Sequence, residues 1–178
     1  ELGRTTRLMP NTLYDPYFIR PEPLVKRSYR RTINERVLSD GSVAAPLDEE
    51  ALAGVAQELK AQGVESVAVG FINAYRNPAN ENAAYKVLKK YFEFVTSSTE
   101  VLNEVREFER FSAGSINAYV MPVMARYSLK LTASVKERNK ATSFYTVASH
   151  GGLLSTPAVT AQPVRTILSG PAAGIAAA

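Results

Sequence analysis

Residues 64–72 read VESVAVGFI, with only Glu65, Ser66 and Gly70 interrupting an apolar run. A near-continuous apolar segment of this length predicts a strand covered on both faces. The residues before it predict a helix. Asp48 follows Pro46-Leu47 as an N-cap, and Glu49 and Glu50 suit the positive end of the helix dipole. Leu52, Val55, Ala56 and Leu59 then recur at helical spacing, and Gly63 closes the helix from the C′ position. A helix running into a buried strand is the α/β pattern.

Outward from this pair, residues 73–77 predict a loop. Pro78 suits the first turn of a helix reaching about residue 91, and residues 92–96 predict a second strand. After a polar loop at 96–99, the spacing predicts a helix over about 105–138. Its stripe includes Phe108, Phe111, Ile116, Tyr119, Val123, Tyr127 and Leu131, read as core, with a kink or break at Pro122. Alternating charges from Glu104 to Arg110 read as a solvated helix start, with Glu107 and Glu109 on different sides. Residues 143–148 predict a strand, a short helix follows from Ser155 or Thr156, and residues 164–168 (VRTIL) predict a last strand before a small-residue helix. Toward the N-terminus, Asp40-Gly41 predicts a turn between β-structure at 24–38 and a return arm at 42–45. The proline-rich residues 10–23 predict an extended segment pinned by Tyr14, Tyr17 and Phe18.

Composition narrows the chemistry. The 178 residues include no Cys and one His, which excludes disulfides, thiolate nucleophiles and multi-His metal sites. The net charge of +4 lies in residues 1–36, with eight basic against four acidic residues. Lys26, Arg27, Arg30 and Arg31 fall around Val25, Tyr29 and Ile33 in a segment that reads as an extended strand, where they would form an outward or edge-guarding face. No RNA-binding signature or helix-turn-helix pattern supports a nucleic-acid partner. No segment has the roughly 18 apolar residues of a membrane span, and no targeting signal is visible. The chain opens on Glu1 and stops inside a small-residue run, so an inner piece of a longer cytoplasmic protein is expected.

Two segments predict strand, small-residue turn, then helix. In VRTILSGPAAGIAAA, Ser169 or Gly170 can cap, Pro171 suits the first helical position and Gly174 permits close approach. Such a helix start offers an anion or phosphate site, and tight helix–sheet packing explains it equally well. It is neither a Walker loop nor G-x-G-x-x-G. In Ser149-His150-Gly151-Gly152, His150 can act as a base, donate to a substrate, or be an ordinary polar loop residue.

Six blocks in order carry a resemblance: NTLYDPYFIRPEPLV (11–25), PLDEEAL (46–52), GVESVAVGFINAYRNPANE (63–81), REFERFSAGSINAYVMPVMARY (106–127), ASHGGLLS (148–155) and PVRTILSGPAAGIAAA (163–178). Together they resemble the hydantoinase/oxoprolinase family, which includes hydantoinase A subunits, 5-oxoprolinases and acetone carboxylase β-type subunits. The resemblance implies an α/β, mixed-sheet, actin/hexokinase-like (ribonuclease H-like) ATPase fold, incomplete here, with one long helix and a β-rich N-terminal segment. Residues 1–115 would be the later part of the family's N-terminal region, and residues 116–178 the beginning of the hydantoinase A domain.

It also implies an ATP-dependent hydrolase of cyclic amides such as hydantoins or 5-oxoproline, using ATP and a divalent metal, magnesium, to phosphorylate an amide or enol oxygen. A hydantoinase B-type subunit or domain and the rest of the polypeptide are the implied partners; nucleic acid and membrane are not. Two features depart from the family pattern: Leu153 rather than Thr follows Gly151-Gly152, and the family more commonly has Asn at His150. The family's two phosphate loops would lie outside the chain, so it should bind no nucleotide or metal and be inactive alone. Its candidate substrate- or nucleotide-binding residues are His150, Gly151, Gly152, Arg165, Ser169, Gly170 and Gly174; metal ligands are none and catalytic residues unassigned. The alternatives are a segment of an acetone-carboxylase-like β-type subunit, or a non-catalytic interaction or regulatory module using the basic region 20–36.

Overall fold

Helix α1 (Glu49–Ala61) forms where its caps place it. The Asp48 carboxylate accepts from the Ala51 N–H at 2.9 Å. Gly63, at φ 80°, ends the helix by donating to Lys60 C=O at 3.0 Å, while Val64 N–H donates to Leu59 C=O at 3.1 Å. These paired bonds satisfy carbonyls that a helix end otherwise leaves open. Leu52, Ala56 and Leu59 are its buried face. The computed structural model describes residues 16–17, 22–140 and 142–177. Most of the proline-rich stretch expected at 10–23 therefore lies outside the described residues.

After α1, strand β3 (Ser66–Val69), helix α2 (Ala79–Leu88) and strand β4 (Phe94–Ser97) form a βαβ unit in which β3 and β4 pair in parallel, Ser66 opposite Phe94 and Val69 opposite Ser97. Every residue of β4 is buried. Alternate side chains point to opposite faces of a strand, so Val95 joins the core with Leu52, Leu59, Val87 and Phe92, while Phe94 packs with Met121 and Ala125 of helix α4 (Glu107–Arg138). The 96–99 segment is not a loop: β4 runs to Ser97 and turns directly into the short helix α3 (Ser98–Val101).

Helix α4 runs its predicted length but buries a different face. Arg110, Gly114, Asn117, Ala118, Met121, Ala125 and Ser128 face inward, while Tyr119, Val123 and Tyr127 remain 63%, 61% and 59% exposed. Small residues sit where α4 packs against β4 and α3; a Cβ built on Gly114 would touch Ser98 Cα at 3.5 Å and Thr96 Cγ2 at 3.9 Å, both ordinary contact distances. Nor does Pro122 break the helix. Proline leaves the carbonyl four residues earlier without its N–H partner, and the Ser66 hydroxyl of β3 fills that role, donating to Ala118 C=O at 2.7 Å.

Toward the N-terminus the expected β-structure at 24–38 shrinks to a hairpin of β1 (Arg36–Val37) and β2 (Val43–Ala45), antiparallel across Asp40-Gly41. The Asp40 carboxylate accepts from the Ser42 hydroxyl and N–H, which holds its pKa below the usual value. Arg27–Tyr29 is a 3-10 turn. There the Arg30 guanidinium donates twice to Val25 C=O, at 3.0 and 2.6 Å, and Arg31 reaches Glu58 of α1 at 3.8 Å. Local side-chain bonds thus replace a ladder there, and among the described residues this part of the chain is not β-rich.

At the other end, β5 (Tyr145–Val147) and β6 (Leu153–Ser155) form an antiparallel hairpin leading into α5 (Thr156–Ala161). The predicted VRTIL strand is instead a 3-10 turn, Pro163–Thr166, before α6 (Ser169–Ala177). Strand pairing among the described residues is thus α/β with one parallel and two antiparallel two-stranded sheets.

Candidate functional site

Neither loop has the strand–turn–helix form. Ser149–Gly152 is the tip of the β5–β6 hairpin: Gly151 N–H donates to Ala148 C=O at 2.9 Å, and Ala148 N–H to Gly152 C=O at 2.7 Å. Gly151 sits at φ 85°, a region that strongly favours glycine. Gly152 lies under the His150 ring, where an added Cβ would fall 2.8 Å from Nε2. The tip is therefore shaped so that the imidazole folds back over its own turn.

The 3-10 turn carrying Arg165 is fixed from two sides. Asn117, fully buried on α4, accepts from Val164 N–H at 3.1 Å and donates to Ala161 C=O at 3.1 Å and Thr96 Oγ1 at 3.0 Å. Ser149 N–H and hydroxyl both donate to Arg165 C=O, at 2.7 and 2.8 Å, and the hydroxyl also reaches Ile167 C=O. With its hydrogen bonded away, Ser149 is placed as a clamp rather than a nucleophile.

These clamps bring His150 and Arg165 to one groove of about 400 Å³, whose other walls are Val101 and Leu102 after β4, Ala113 on α4, and Val164. Both polar side chains are exposed. Among the described residues, neither has a side-chain hydrogen bond or ion pair. Ser169, Gly170 and Gly174 do not line the groove, and nothing lies within 4 Å of a Cβ built on either glycine. Asn117, Val101, Leu102 and Ala113 had no sequence signal as site residues. A smaller cavity of about 60 Å³ between Tyr85, Glu100, Asn117 and Gln162 adjoins them. Burial, then the Glu100 carboxylate, raises the Tyr85 pKa, so that phenol stays protonated.

A second polar cluster occupies the carboxyl ends of β3 and β4. Glu81, fully buried on α2, accepts from Phe71 N–H at 3.1 Å, Ser97 Oγ at 2.7 Å, Ser98 Oγ at 3.0 Å and Thr99 N–H at 2.8 Å. Arg110, also fully buried, donates to Ser98 Oγ at 3.2 Å and to the carbonyls of Glu104 and Phe71, each at 2.7 Å. Ser98 thus bridges the carboxylate and the guanidinium.

Neither place fits a metal–nucleotide group. No cluster of three or more His, Asp or Glu that could hold a metal ion occurs among the described residues, no carboxylate lines the groove, and the Glu81 oxygens are already satisfied by protein donors. No helix of the described residues is long and apolar enough to cross a membrane.

Comparison with known proteins finds matches over most of the chain. Residues 2–92 match the hydantoinase/oxoprolinase N-terminal region, and residues 110–178 match hydantoinase/oxoprolinase. An uncharacterized protein of Methanocaldococcus jannaschii is 36% identical over 98% of this chain and 25% of its own length. The crystal structure of the ATP-dependent caprolactamase from Pseudomonas jessenii superposes with a TM-score of 0.82 at 35% identity, over 89% of this chain and 23% of that one. A nucleotide-free acetone carboxylase superposes at 0.75 with 27% identity, over 87% and 22%. The chain thus spans about a quarter of the length of each of these three relatives. With both matched regions and two solved relatives following the same residues, the chain belongs to the hydantoinase/oxoprolinase family.

Proposed function

We propose that these residues are part of an ATP-dependent cyclic-amide hydrolase of hydantoinase/5-oxoprolinase type, built on an actin/hexokinase-like ATPase fold. Residues 1–115 belong to its N-terminal region and residues 116–178 open its hydantoinase A domain. The observation that carries this reading is the likeness to the ATP-dependent caprolactamase, at 35% identity and a TM-score of 0.82. The acetone carboxylase likeness, at 27% and 0.75, supports a ketone-activating relative as the second reading. ATP and magnesium belong to the longer enzyme. The chain's own residues supply a cleft wall, with the backbone at Val164 and Arg165 held by Asn117 and Ser149 and His150 beside it on the hairpin tip.

A partner subunit completes the enzyme; the Pseudomonas jessenii relative is itself a caprolactamase subunit alpha. The basic region 20–36 is structural in this reading, because Arg30 and Arg31 bond within the chain. The test is ADP formation by the full-length protein with its partner, given ATP and either hydantoin, 5-oxoproline or acetone with bicarbonate. Release driven by a cyclic amide is expected, with none from the 178-residue chain alone. Release with acetone only selects the carboxylase reading, and none with any substrate overturns both.

A further inference from the structure

The outward face of α4 carries an apolar seam that the fold itself does not use. Ile116, Tyr119, Val123 and Tyr127 are all exposed there, opposite the buried Gly114, Asn117 and Ser128. With Glu109 and Ser112 before them and Lys130 after them, these residues recur every three or four positions without a break. That spacing makes one continuous stripe along a helix, the kind of ridge that seats on a second helix. Its charges stand at its two ends, Glu109 and Lys130, roughly 30 Å apart along the helix axis. Neither has an ion pair among the described residues, whereas Arg126 beside the seam is paired with Glu65 within the chain.

The seam complements itself when one copy is reversed. A two-fold axis passing between Tyr119 and Val120 sets Glu109 of one copy opposite Lys130 of the other, Ser112 opposite Tyr127, and Ile116 opposite Val123. Charge then meets opposite charge, a small side chain meets a large one, and apolar meets apolar. A two-fold interface makes every such contact twice. The parallel, in-register arrangement would instead oppose Glu109 to Glu109 and Lys130 to Lys130, which like-charge repulsion disfavours. We propose that the outward face of α4 docks a second copy of this protein, antiparallel, about that axis. The inference goes beyond the proposed function and holds for either substrate reading.

The experiment is photocrosslinking in the full-length protein with its partner subunit, using Tyr119→p-benzoylphenylalanine in equal mixtures of 14N- and 15N-labelled copies. Irradiation should join residue 119 to residues 116–123 of a copy carrying the other label, as mapped by mass spectrometry of the joined peptides. The protein concentration that gives half-maximal yield of this product measures the docking. Glu109→Lys and Lys130→Glu each place like charges together twice per pair of copies. Each should raise that concentration at least about tenfold. The double variant Glu109→Lys/Lys130→Glu exchanges the signs, and should return it to within about threefold of the parent. Val123→Asp, at an exposed position in the middle of the seam, should abolish the product. The proposal is overturned if residue 119 joins to another part of the same polypeptide, to the partner subunit, or to nothing. It is equally overturned if both single charge variants dock like the parent, or if the double variant docks no better than either single one.

Discussion

Arg110 and Arg165 are guanidinium groups in neighbouring parts of the molecule, and the fold treats them in opposite ways. Arg110 is fully buried, with each of its three nitrogens bonded to Ser98, Glu104 or Phe71 and Glu81 one hydroxyl away. Arg165 is exposed and unpartnered among the described residues, although its backbone is clamped twice. Open α/β sheets usually receive ligands beyond the carboxyl ends of their strands. Here that position is closed by Glu81, Ser97, Ser98 and Arg110. The free donors stand one step away, across the groove that starts where α3 ends. A buried charge must have its partners within the protein, whereas an exposed and anchored one is available to something else.

The largest effect should come from breaking the closed cluster. Glu81→Ala removes the acceptor of Phe71 N–H, Thr99 N–H and the Ser97 and Ser98 hydroxyls, and cuts the Ser98 bridge from the buried Arg110 to a carboxylate. A loss of about 3–5 kcal/mol is expected from an uncompensated buried charge with its orphaned donors. It would be read as a lower urea midpoint at unchanged slope. Glu81→Gln keeps one acceptor oxygen and should lose less. A shift below about 1 kcal/mol for the alanine variant would make this cluster no more than the energetic equal of a surface pair.

How much of this was legible follows from where each partner sits in sequence. Helix α1 was fully readable, because Asp48, its apolar spacing and Gly63 all lie within sixteen consecutive residues. The length of α4 was readable from its periodicity, but its inward face was not. A large-apolar stripe is the usual core signal, whereas α4 buries Gly114, Asn117 and Ser128. Asn117, for one, is satisfied by Thr96 and Ala161, far from it in the chain. VRTIL has strand propensity, yet Asn117 takes Val164 N–H and Ser149 takes Arg165 C=O, so both backbone groups are withdrawn from any ladder. At the site, His150 and Arg165 could be picked out as polar residues in glycine-flanked or strand-end contexts. Their common groove depends on a hairpin tip and a 3-10 turn meeting, which no local pattern encodes. Ser169, Gly170 and Gly174 were read from a strand-to-helix turn that does not form.

Pro122 gives the comparison an intermediate case: one carbonyl, half-protected by a hydroxyl from another element. Ser66→Ala should cost about 1–2 kcal/mol, since it leaves Ala118 C=O without a donor in a buried part of α4. The same substitution in a Pro122→Ala background should cost much less, because alanine restores the N–H that bonds residue 118 within the helix. A double-mutant cycle in urea reads the coupling directly. Equal costs in the two backgrounds would mean that the Ser66 hydroxyl does not stand in for the missing helix bond.

The smallest stability effect separates the two arginines most sharply. Arg165→Gln and His150→Gln remove side chains that bond to nothing among the described residues, so each should leave the urea midpoint within about 0.5 kcal/mol of wild type. The corresponding Arg110→Gln change strands the bridge through Ser98 and the carbonyls of Phe71 and Glu104, and should cost several-fold more. A charge that costs nothing to remove is one the fold does not use for its own stability. If Arg165→Gln instead destabilised the chain as much as Arg110→Gln, the guanidinium would have to be a structural tie. The groove would then lose the free donor that distinguishes it from the closed cluster.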